Sequence, residues 1–293
     1  MTAQGGSSLG PPAKPWDARS HPRDPVGEVS TSSTRYRTWG AWYVAEHKIR
    51  QMRAYLGTAI ATAFGTPVLY LFAFGVGLAT LITGDVGPVP GVSYLQFVAP
   101  ALLASAATLV ATEEYTFGIL LGLKWNLTFV GMNASPITPR QIVDGVMIFV
   151  GIRMLTTTVI YFAIMFAFGA VSTPESALTI VAGLLAGFAF APVAAYAATI
   201  QEDRGQFAIL QRVVILPLTL FSGTVFPLTQ LPIFLQWIGW LSPLWHASEL
   251  GRQFVYGPTE PIWLTIGHVV YLIALALIGW QLCVRNVARR LNK

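Results

Sequence analysis

Residues 216–257 read LPLTLFSGTVFPLTQLPIFLQWIGWLSPLWHASELGRQFVYG, a stretch as apolar as a membrane span but interrupted by four prolines. Proline removes a backbone donor and clashes with the preceding helical turn, so no straight transmembrane helix survives this spacing. The stretch is expected to form helices of roughly ten residues, each about 15 Å long, half of a bilayer core. Because irregular backbone at membrane depth must be buried in protein or line a cavity, we predict re-entrant helices over about 226–257. One kinked span followed by an exposed loop is the alternative.

The composition places the whole chain in a membrane. Of its 293 residues, 54% are hydrophobic and only 11% are charged, which is too few charges to cover a globule in water. Continuous apolar runs of about twenty residues indicate helices, whereas a membrane β-barrel would show short segments of alternating polarity. The sequence therefore predicts an all-α integral membrane protein with six transmembrane helices.

The N-terminal part of the chain precedes the first apolar run. Residues 1–34 are rich in Gly, Pro and Ser without apolar periodicity and are interpreted as a disordered cytoplasmic tail. Residues 35–55 are compatible with a basic amphipathic helix, which is predicted to lie in the membrane interface. Its apolar stripe consists of Trp42, Ala45, Ile49 and Met52. A solvated leader to the first span is the alternative.

Six apolar runs define the predicted transmembrane domain, residues 56–285. Their approximate bounds are 56–82, 94–123, 143–168, 177–200, a run from 207 into the proline-broken stretch, and 262–283. A basic cytoplasmic tail, residues 286–293, follows the last run. Gly183 and Gly187 of the fourth run have the spacing of small residues that lets two helices approach closely.

The positions of lysine and arginine predict the orientation of these spans. If the N-terminus is cytoplasmic, the cytoplasmic segments hold nearly every cation, and only Arg252 falls on the opposite side. Arg153 lies inside the third span, in its cytoplasmic half. This asymmetry is the positive-inside pattern, so we expect both termini in the cytoplasm and the proline-broken stretch at the outer face.

No motif for nucleotide or metal chemistry is visible in the sequence. It lacks GxxxxGK[ST], so the energy is expected to come from another protein and no cofactor is expected in this chain. The histidines, His21, His47, His246 and His268, are scattered without the spacing of zinc or haem ligands. An ion-coupled carrier usually holds ionisable residues at the bilayer midplane, and their near absence here disfavours ion coupling.

Three places are candidate sites. The polar, proline-containing loop at 131–145 is a candidate protrusion that docks into a soluble partner, and an ordinary turn is the alternative. Glu113 and Glu114 are candidates to pair with Arg153 or Arg212 at the inner mouth of a pathway, whereas charges that snorkel from helix ends are the simpler interpretation. The third candidate is an outer hydrophobic constriction, for which a packed helix bend is the alternative. Its residues are Phe221, Gly223, Phe226 and Pro227.

Three motifs resemble those of a known family. They are FVAPALLA at 97–104, NASPITPRQIVDG at 133–145 and, most specifically, FSGTVFPLTQLPIFLQWIGWLSPLWHASELGRQFVYG at 221–257. Over residues 36–290 the chain resembles type-2 ABC exporter permeases. The most similar branch contains the nodulation lipo-oligosaccharide exporter and the daunorubicin-type antibiotic exporters.

The resemblance implies a dimer with a second permease copy or a sister permease, and separate cytoplasmic ATPase subunits that bind ATP and magnesium. It makes 35–55 the interface helix and the proline-broken stretch a pair of re-entrant helices at an outer gate. It assigns coupling to the ATPase to Ser135, Pro136, Ile137, Thr138, Pro139 and Arg140. Membrane lipids are expected contacts, nucleic acid is not, and the implied location is the plasma membrane of a bacterium.

We therefore expect the permease subunit of an ATP-driven exporter for an amphipathic, lipid-linked, glycolipid or drug-like molecule. Resemblance to the family does not identify the transported molecule, because its members share an architecture and move different molecules. An ion-coupled carrier or channel is the alternative. A lipid-modifying enzyme that uses Glu113, Glu114 and His246 is a third hypothesis, although the predicted orientation places His246 on the opposite side from the glutamates.

Overall fold

The computed structural model describes residues 31–78, 91–171, 173–200 and 205–292. Every regular element within these ranges is helical, which confirms the predicted all-α class. Residues 1–30 of the predicted disordered tail lie outside the described residues. The last residues of that predicted tail belong to a helix that begins at Thr31.

Five helical stretches within the described residues are long and apolar enough to cross a membrane. They are Thr38–Gly75, Tyr94–Trp125, Pro139–Ala167, Pro174–Ala197 and Ile262–Leu291. Four of them coincide, within several residues, with the predicted second, third, fourth and sixth spans, and the first also includes most of the predicted interface helix. These lengths and compositions are those of an integral membrane protein.

The predicted interface helix and the first span are joined almost directly. Helix α1, Thr31–Met52, and helix α2, Leu56–Tyr70, are separated by one 3-10 turn at Arg53–Tyr55. Helix α2 then continues into π-helical turns at Leu71–Leu78. The helical path from the start of α1 to Leu78 therefore contains no loop.

The packed face of α1 differs from the predicted stripe. Three members of that stripe contact the core, namely Ala45, Ile49 and Met52. The fourth member, Trp42, is 43% exposed, and the location of the stripe at the membrane interface stays a prediction. Helix α1 packs against the helix Pro139–Ala167, where Val44 lies against Gly145, and this contact turns Val44 and Lys48 inward.

Helix α3, Tyr94–Glu113, is the most buried of the candidate spans and forms the centre of the bundle. A capping box between Ser93 and Gln96 starts it, because each side chain accepts a hydrogen bond from the other residue's backbone N–H. Beyond its end, π-helical turns carry the helical path to Trp125.

Small residues bring the fourth span close to its neighbours. A short helix α4, Thr128–Asn133, precedes the long helix α5, Pro139–Ala167, and helices α6, Leu178–Ala189, and α7, Ala191–Ala197, follow. Gly183 of α6 lies against side chains of α3 and α5, as does Gly187 one turn later. The close approach predicted from this spacing is confirmed.

The fifth apolar run is shorter than a span. Helices α8, Gln206–Ile209, and α9, Leu216–Leu220, are joined by π-helical turns into one apolar helix, Gln206–Leu220. At helical rise this helix is about 22 Å long, against roughly 30 Å for a bilayer core. It ends just before Gly223, which has a φ of 67° that favours glycine. Five of the six predicted spans are therefore long enough to cross a membrane within the described residues, and the crossing by the sixth, Gln206–Leu220, stays a prediction.

The proline-broken stretch forms two separate helices and not one kinked span. Helix α10, Ile233–Leu241, follows Pro232, and helix α11, Pro243–Tyr256, begins after the single residue Ser242. Helix α11 packs against α3, α6 and the last helix α12, Ile262–Leu291. The break between α10 and α11 is buried at Ser242, as irregular backbone within a membrane requires, whereas α10 exposes Ile233 and Phe234.

Candidate transport groove and its charged end

A cavity of about 1010 Å³ opens on the side of the bundle between α2, α3, α5 and the helix Gln206–Leu220, and we call it the groove. Its walls are mostly apolar. Side chains from three of its walls include Ala59, Ala63, Ala106, Leu109, Ile152 and Ile160. The groove is as large as the upper range of ligand pockets, about 300–1,000 Å³.

Four charged residues at the end of α3 form what we call the charged network, and two of them, Glu113 and Arg153, line the groove. Nη2 of Arg153 lies 3.2 Å from Oε2 of Glu113, and its Nη1 donates to Oε1 of Glu114. Nζ of Lys48 lies 3.9 Å from Oε2 of Glu114. Two cations therefore balance two carboxylates, and the network joins α1, α3 and α5.

Most of the charged network is withdrawn from water. The side chains of Lys48 and Glu114 are 8% and 10% exposed, and that of Arg153 is 15% exposed. Only Glu113, at 58%, reaches solvent in the way that snorkelling predicts. Because a buried charge is costly unless it is paired, Glu114 depends on its two cations, and the snorkelling interpretation is wrong for this residue.

Arg212, the other predicted partner of the glutamates, is placed differently. It lines the groove from the helix Gln206–Leu220 and is exposed. In the part of the chain that the structure describes, it forms no ion pair. Of the two predicted partners, Arg153 alone makes the ion pairs, and the assignment of these charges to an inner mouth stays a prediction.

The predicted coupling residues form the turn between α4 and α5. Thr138 caps α5, since its hydroxyl accepts from the backbone N–H of Gln141, whose side chain accepts from the N–H of Thr138. Pro139 follows in the first turn, and Ile137 packs partly buried against the core. The exposed members of the set are Ser135, Pro136, Thr138 and Arg140. The turn is thus fixed at its base and exposes polar groups, and its role in coupling stays a prediction.

The same end of the bundle holds α1 and the end of the last helix. Gly40 of α1 lies against the side chain of Gln141, beside the coupling turn. Asn133 Nδ2 donates to the carbonyl of Leu291 at 3.4 Å. The coupling turn, α1 and the C-terminal end of α12 therefore lie next to one another.

The predicted outer constriction is packed against the start of α3. Tyr94 Oη donates to the carbonyl of Val225 at 3.0 Å and ties the segment to that helix. None of the residues predicted to form the constriction lines the groove. They are Phe221, Gly223, Phe226 and Pro227. In this structure the segment is a packed bend, and its role as a gate stays a prediction.

Arg252 of α11 holds this bend in place, a role that the sequence analysis missed. Its side chain is 1% exposed, and its Nη2 donates to the carbonyl of Gly223 at 2.6 Å. Its Nε donates to the carbonyl of Phe97 at 3.2 Å, and its Nη1 lies 2.6 Å from Oε1 of Glu249. The only signal in the sequence is Glu249, three residues earlier on the same helix face, because backbone carbonyl partners leave no trace in a sequence.

Two histidines that the sequence analysis treated as scattered are in contact. Nδ1 of His246 and Nδ1 of His268 lie 2.6 Å apart, and Nε2 of His268 lies 2.9 Å from Oε2 of Glu260. Within the described residues, no group of three or more His, Cys, Asp or Glu could hold a metal ion. The partners of His246 are not those of Glu113 and Glu114, so the residues of the enzyme hypothesis do not converge.

A bundle of apolar helices with a lateral groove and a buried charged network defines a class, the multi-pass membrane transport proteins. Residues 88–282 match the family described as ABC-2 family transporter protein. The chain therefore belongs to this family, which confirms the resemblance to type-2 ABC permeases. Members of the family are transport permeases and not themselves enzymes.

Two relatives illustrate the similarity. Nodulation protein J of Rhizobium leguminosarum bv. viciae is 30% identical over 247 residues, which are 82% of this chain and 93% of that protein. Inner membrane transport permease YadH of Escherichia coli strain K12 is 28% identical over 256 residues, 81% of this chain and 91% of that protein. No solved structure gives a significant match. These relatives and the apolar helices identify a multi-pass protein of the bacterial plasma membrane.

Proposed function

We propose that this chain is the transmembrane subunit of an ATP-driven exporter, which moves an amphipathic molecule out of the cytoplasm or the inner leaflet. The molecule is lipid-linked, a glycolipid or drug-like. The groove carries the proposal, because its walls suit a hydrocarbon portion and its charged end suits a polar portion. Membership of a transporter family supports the transport function itself.

An amphiphile fits the groove better than a coupling ion does. A volume of about 1010 Å³ is that of a site for a whole organic molecule. Ion-coupled carriers place ionisable groups near the bilayer midplane. Here both carboxylates of the charged network are already matched by Arg153 and Lys48, so neither is left as a vacant site for a coupling ion.

The proposed orientation has both termini in the cytoplasm and counts the helix Gln206–Leu220 as a sixth crossing. The positive-inside distribution of lysine and arginine supports it. In this orientation the coupling turn and α1 lie at the cytoplasmic face, and α10 and α11 are re-entrant helices at the outer face.

Two protein partners complete the proposal. A separate cytoplasmic ATPase, which binds ATP and magnesium, docks on the coupling turn and α1, and its closure tilts the spans because ATP binding favours one of its two states. A second permease copy or a sister permease covers apolar faces that are exposed in this subunit, with two-fold symmetry. Such faces occur on α2, where Leu69 is 70% exposed, and on α12, where Leu277 is 56% exposed. Membrane lipids cover the rest.

Filling the groove is expected to stop transport. In proteoliposomes that contain the chain and its ATPase, Ala106→Trp should slow ATP-dependent movement of a fluorescent glycolipid between leaflets by roughly 5- to 150-fold. This factor corresponds to a loss of about 1–3 kcal/mol of contact between the transported molecule and the groove, at about 1.4 kcal/mol per tenfold change. Quenching of the fluorophore in the outer leaflet measures the rate. Phe166→Trp, at an exposed position of α5 outside the groove, is the control and should leave the rate unchanged. Movement that needs neither ATP nor the ATPase would contradict the proposed function.

A charged coupling turn is expected to separate ATP hydrolysis from transport. The double variant Pro136→Asp with Thr138→Asp adds two charges to the docking surface while aspartate at position 138 still caps α5. Transport should fall by about 5- to 150-fold, the range of usual coupling free energies, while membrane insertion stays intact. Parallel assays of phosphate release and glycolipid movement measure the two activities. The double variant Pro136→Asn with Thr138→Asn, which adds no charge and keeps a capping side chain at position 138, is the control. Unchanged transport in the aspartate variant would refute the assignment.

A further inference from the structure

The contact between His246 and His268 belongs to a chain of three hydrogen bonds. Nε2 of His246 lies 2.9 Å from the carbonyl oxygen of Trp240, at the end of α10. The two Nδ1 atoms lie 2.6 Å apart, and Nε2 of His268 lies 2.9 Å from Oε2 of Glu260, in the segment before α12. The chain therefore joins α10 and α11 to α12 through two imidazole rings.

Counting hydrogens along this chain shows that two neutral imidazoles are not enough. A carbonyl oxygen only accepts, so Nε2 of His246 must carry a hydrogen, and its Nδ1 then accepts when the ring is neutral. Nδ1 of His268 must therefore donate to it. The ionised carboxylate of Glu260 also accepts only, so Nε2 of His268 must carry a hydrogen as well. Three hydrogens are required, whereas two neutral imidazoles supply two.

Several neighbours indicate that the third hydrogen resides on His268. His268 is the ring next to a carboxylate, with 2.9 Å between its Nε2 and Oε2 of Glu260, whereas the outer nitrogen of His246 faces an uncharged carbonyl. Oε2 of Glu260 also accepts from Nε2 of Gln253 at 3.2 Å, and Oε1 of Gln253 accepts from Thr265 at 2.8 Å. A carboxylate oxygen that accepts two hydrogen bonds is favoured in its ionised form.

We propose that His246, His268 and Glu260 form a binding site for one proton, which holds the re-entrant helices α10 and α11 against α12. The ligand is the proton itself, taken from the solution that reaches Glu260, whose side chain is 23% exposed. With the proton bound, all three hydrogen bonds are made at once. When it leaves, one of the three loses its hydrogen, and α10 and α11 are held less tightly. This inference concerns the helices and does not depend on the transported molecule.

The other ionisable groups around the site include Tyr256 of α11, which carries no charge in its ordinary phenol form and interacts with Glu260. Arg252 and Glu249 of α11 pair with each other. Tyr271 of α12 donates its hydroxyl to the carbonyl of Leu241 at 2.7 Å, while its ring lies 4.1 Å from that of His246. Helices α6 and α10, which pack on α12 and α11, contain no ionisable side chain. On α3, Tyr94 donates to the bend at Val225, and the glutamates lie at the far end of the helix.

The test measures the distance between α10 and α12 as a function of pH in the full chain in lipid nanodiscs. Spin labels are attached at Trp237→Cys and Ile266→Cys, exposed positions of 58% and 56%, in a background with Cys283→Ala. We expect a narrow distance distribution at a pH of about 5.5 and a broader one at about 8.5, on either side of the usual imidazole range. Identical distributions at both values would overturn the proposal.

Glu260→Gln separates a proton site from a merely structural contact. The amide of glutamine can donate to Nε2 of His268, so two neutral imidazoles then satisfy all three bonds without an added proton. This variant should keep the narrow distribution at both pH values. A distribution that is broad at both, or that still changes with pH, would contradict the proposal. Glu175→Gln, an exposed carboxylate before α6, is the matched control and should respond to pH as the unchanged chain does.

A spectroscopic measurement tests the proton directly. In protein labelled with nitrogen-15 histidine, His268 should show two protonated nitrogens at the lower pH, and His246 should show one. His268→Asn identifies the signals. In the Glu260→Gln variant both rings should be neutral where the unchanged chain holds its extra proton. Neutral rings in the unchanged chain at the lower pH, with both forms folded, would exclude the site.

Discussion

Arg153→Ala is expected to lower the free energy of unfolding by about 3–5 kcal/mol, the cost of leaving a buried charge without its partner. Arg153 donates to Glu114, whose side chain is 10% exposed. After the substitution the remaining cation near Glu114 is Lys48, with its Nζ 3.9 Å away. Titration of the purified protein with a denaturing detergent measures the change.

Two further variants test whether burial of the charges causes the loss of stability in Arg153→Ala. Arg50→Ala removes an ion pair with Glu46 in which the arginine side chain is 70% exposed, and such pairs contribute about 0–1 kcal/mol. The double variant Arg153→Ala with Glu114→Ala removes both charges and should recover part of the lost stability. If Arg50→Ala and Arg153→Ala have equal effects, the burial argument is wrong.

Arg252→Ala is expected to cost about 3–5 kcal/mol as well and, in addition, to release the bend at 221–227. The guanidinium is 1% exposed, and the carbonyls of Gly223 and Phe97 and the carboxylate of Glu249 all depend on it. Alanine offers none of these donors. Hydrogen exchange of residues 221–227, followed by mass spectrometry, measures the release, and detergent titration measures the stability.

The lysine variant tests the geometry of this contact. Arg252→Lys keeps the charge but replaces a planar fork of five N–H donors by one ammonium group, so an intermediate effect is expected. Arg285→Ala removes an exposed arginine of α12 and should change neither stability nor exchange. Unchanged exchange at 221–227 in Arg252→Ala would show that the bend is held by other contacts.

The parts of the fold that follow from local chemistry were predictable from the sequence. Proline acts on its own turn, so Pro232 and Pro243 determine where α10 and α11 begin whatever surrounds them. The length of an apolar run is also a local property, and four spans were placed within several residues. The fifth run begins within one residue of its predicted start, and its helix ends near Gly223, whose positive φ is set by the bend and not by hydropathy.

A side-chain contact was predictable only where its two partners are close to each other in the sequence. The burial of Val44 and Lys48 on α1 was not predicted, since one helical face and the next differ by a small rotation that only the packing against α5 decides. His246 and His268 lie 22 positions apart on different helices, so no periodicity could join them. Glu113, Glu114 and Arg153 were singled out as rare charges near apolar runs, but burial of Glu114 required the tertiary structure.

The direct connection between α1 and α2 has a mechanical consequence. Gly40 lies against Gln141 beside the coupling turn, and Ala63 belongs to a wall of the groove. Only one 3-10 turn, at Arg53–Tyr55, separates the two helices that carry these residues. If the ATPase pushes on the coupling turn as proposed, a displacement at the first point is expected to reach the second without crossing a loop.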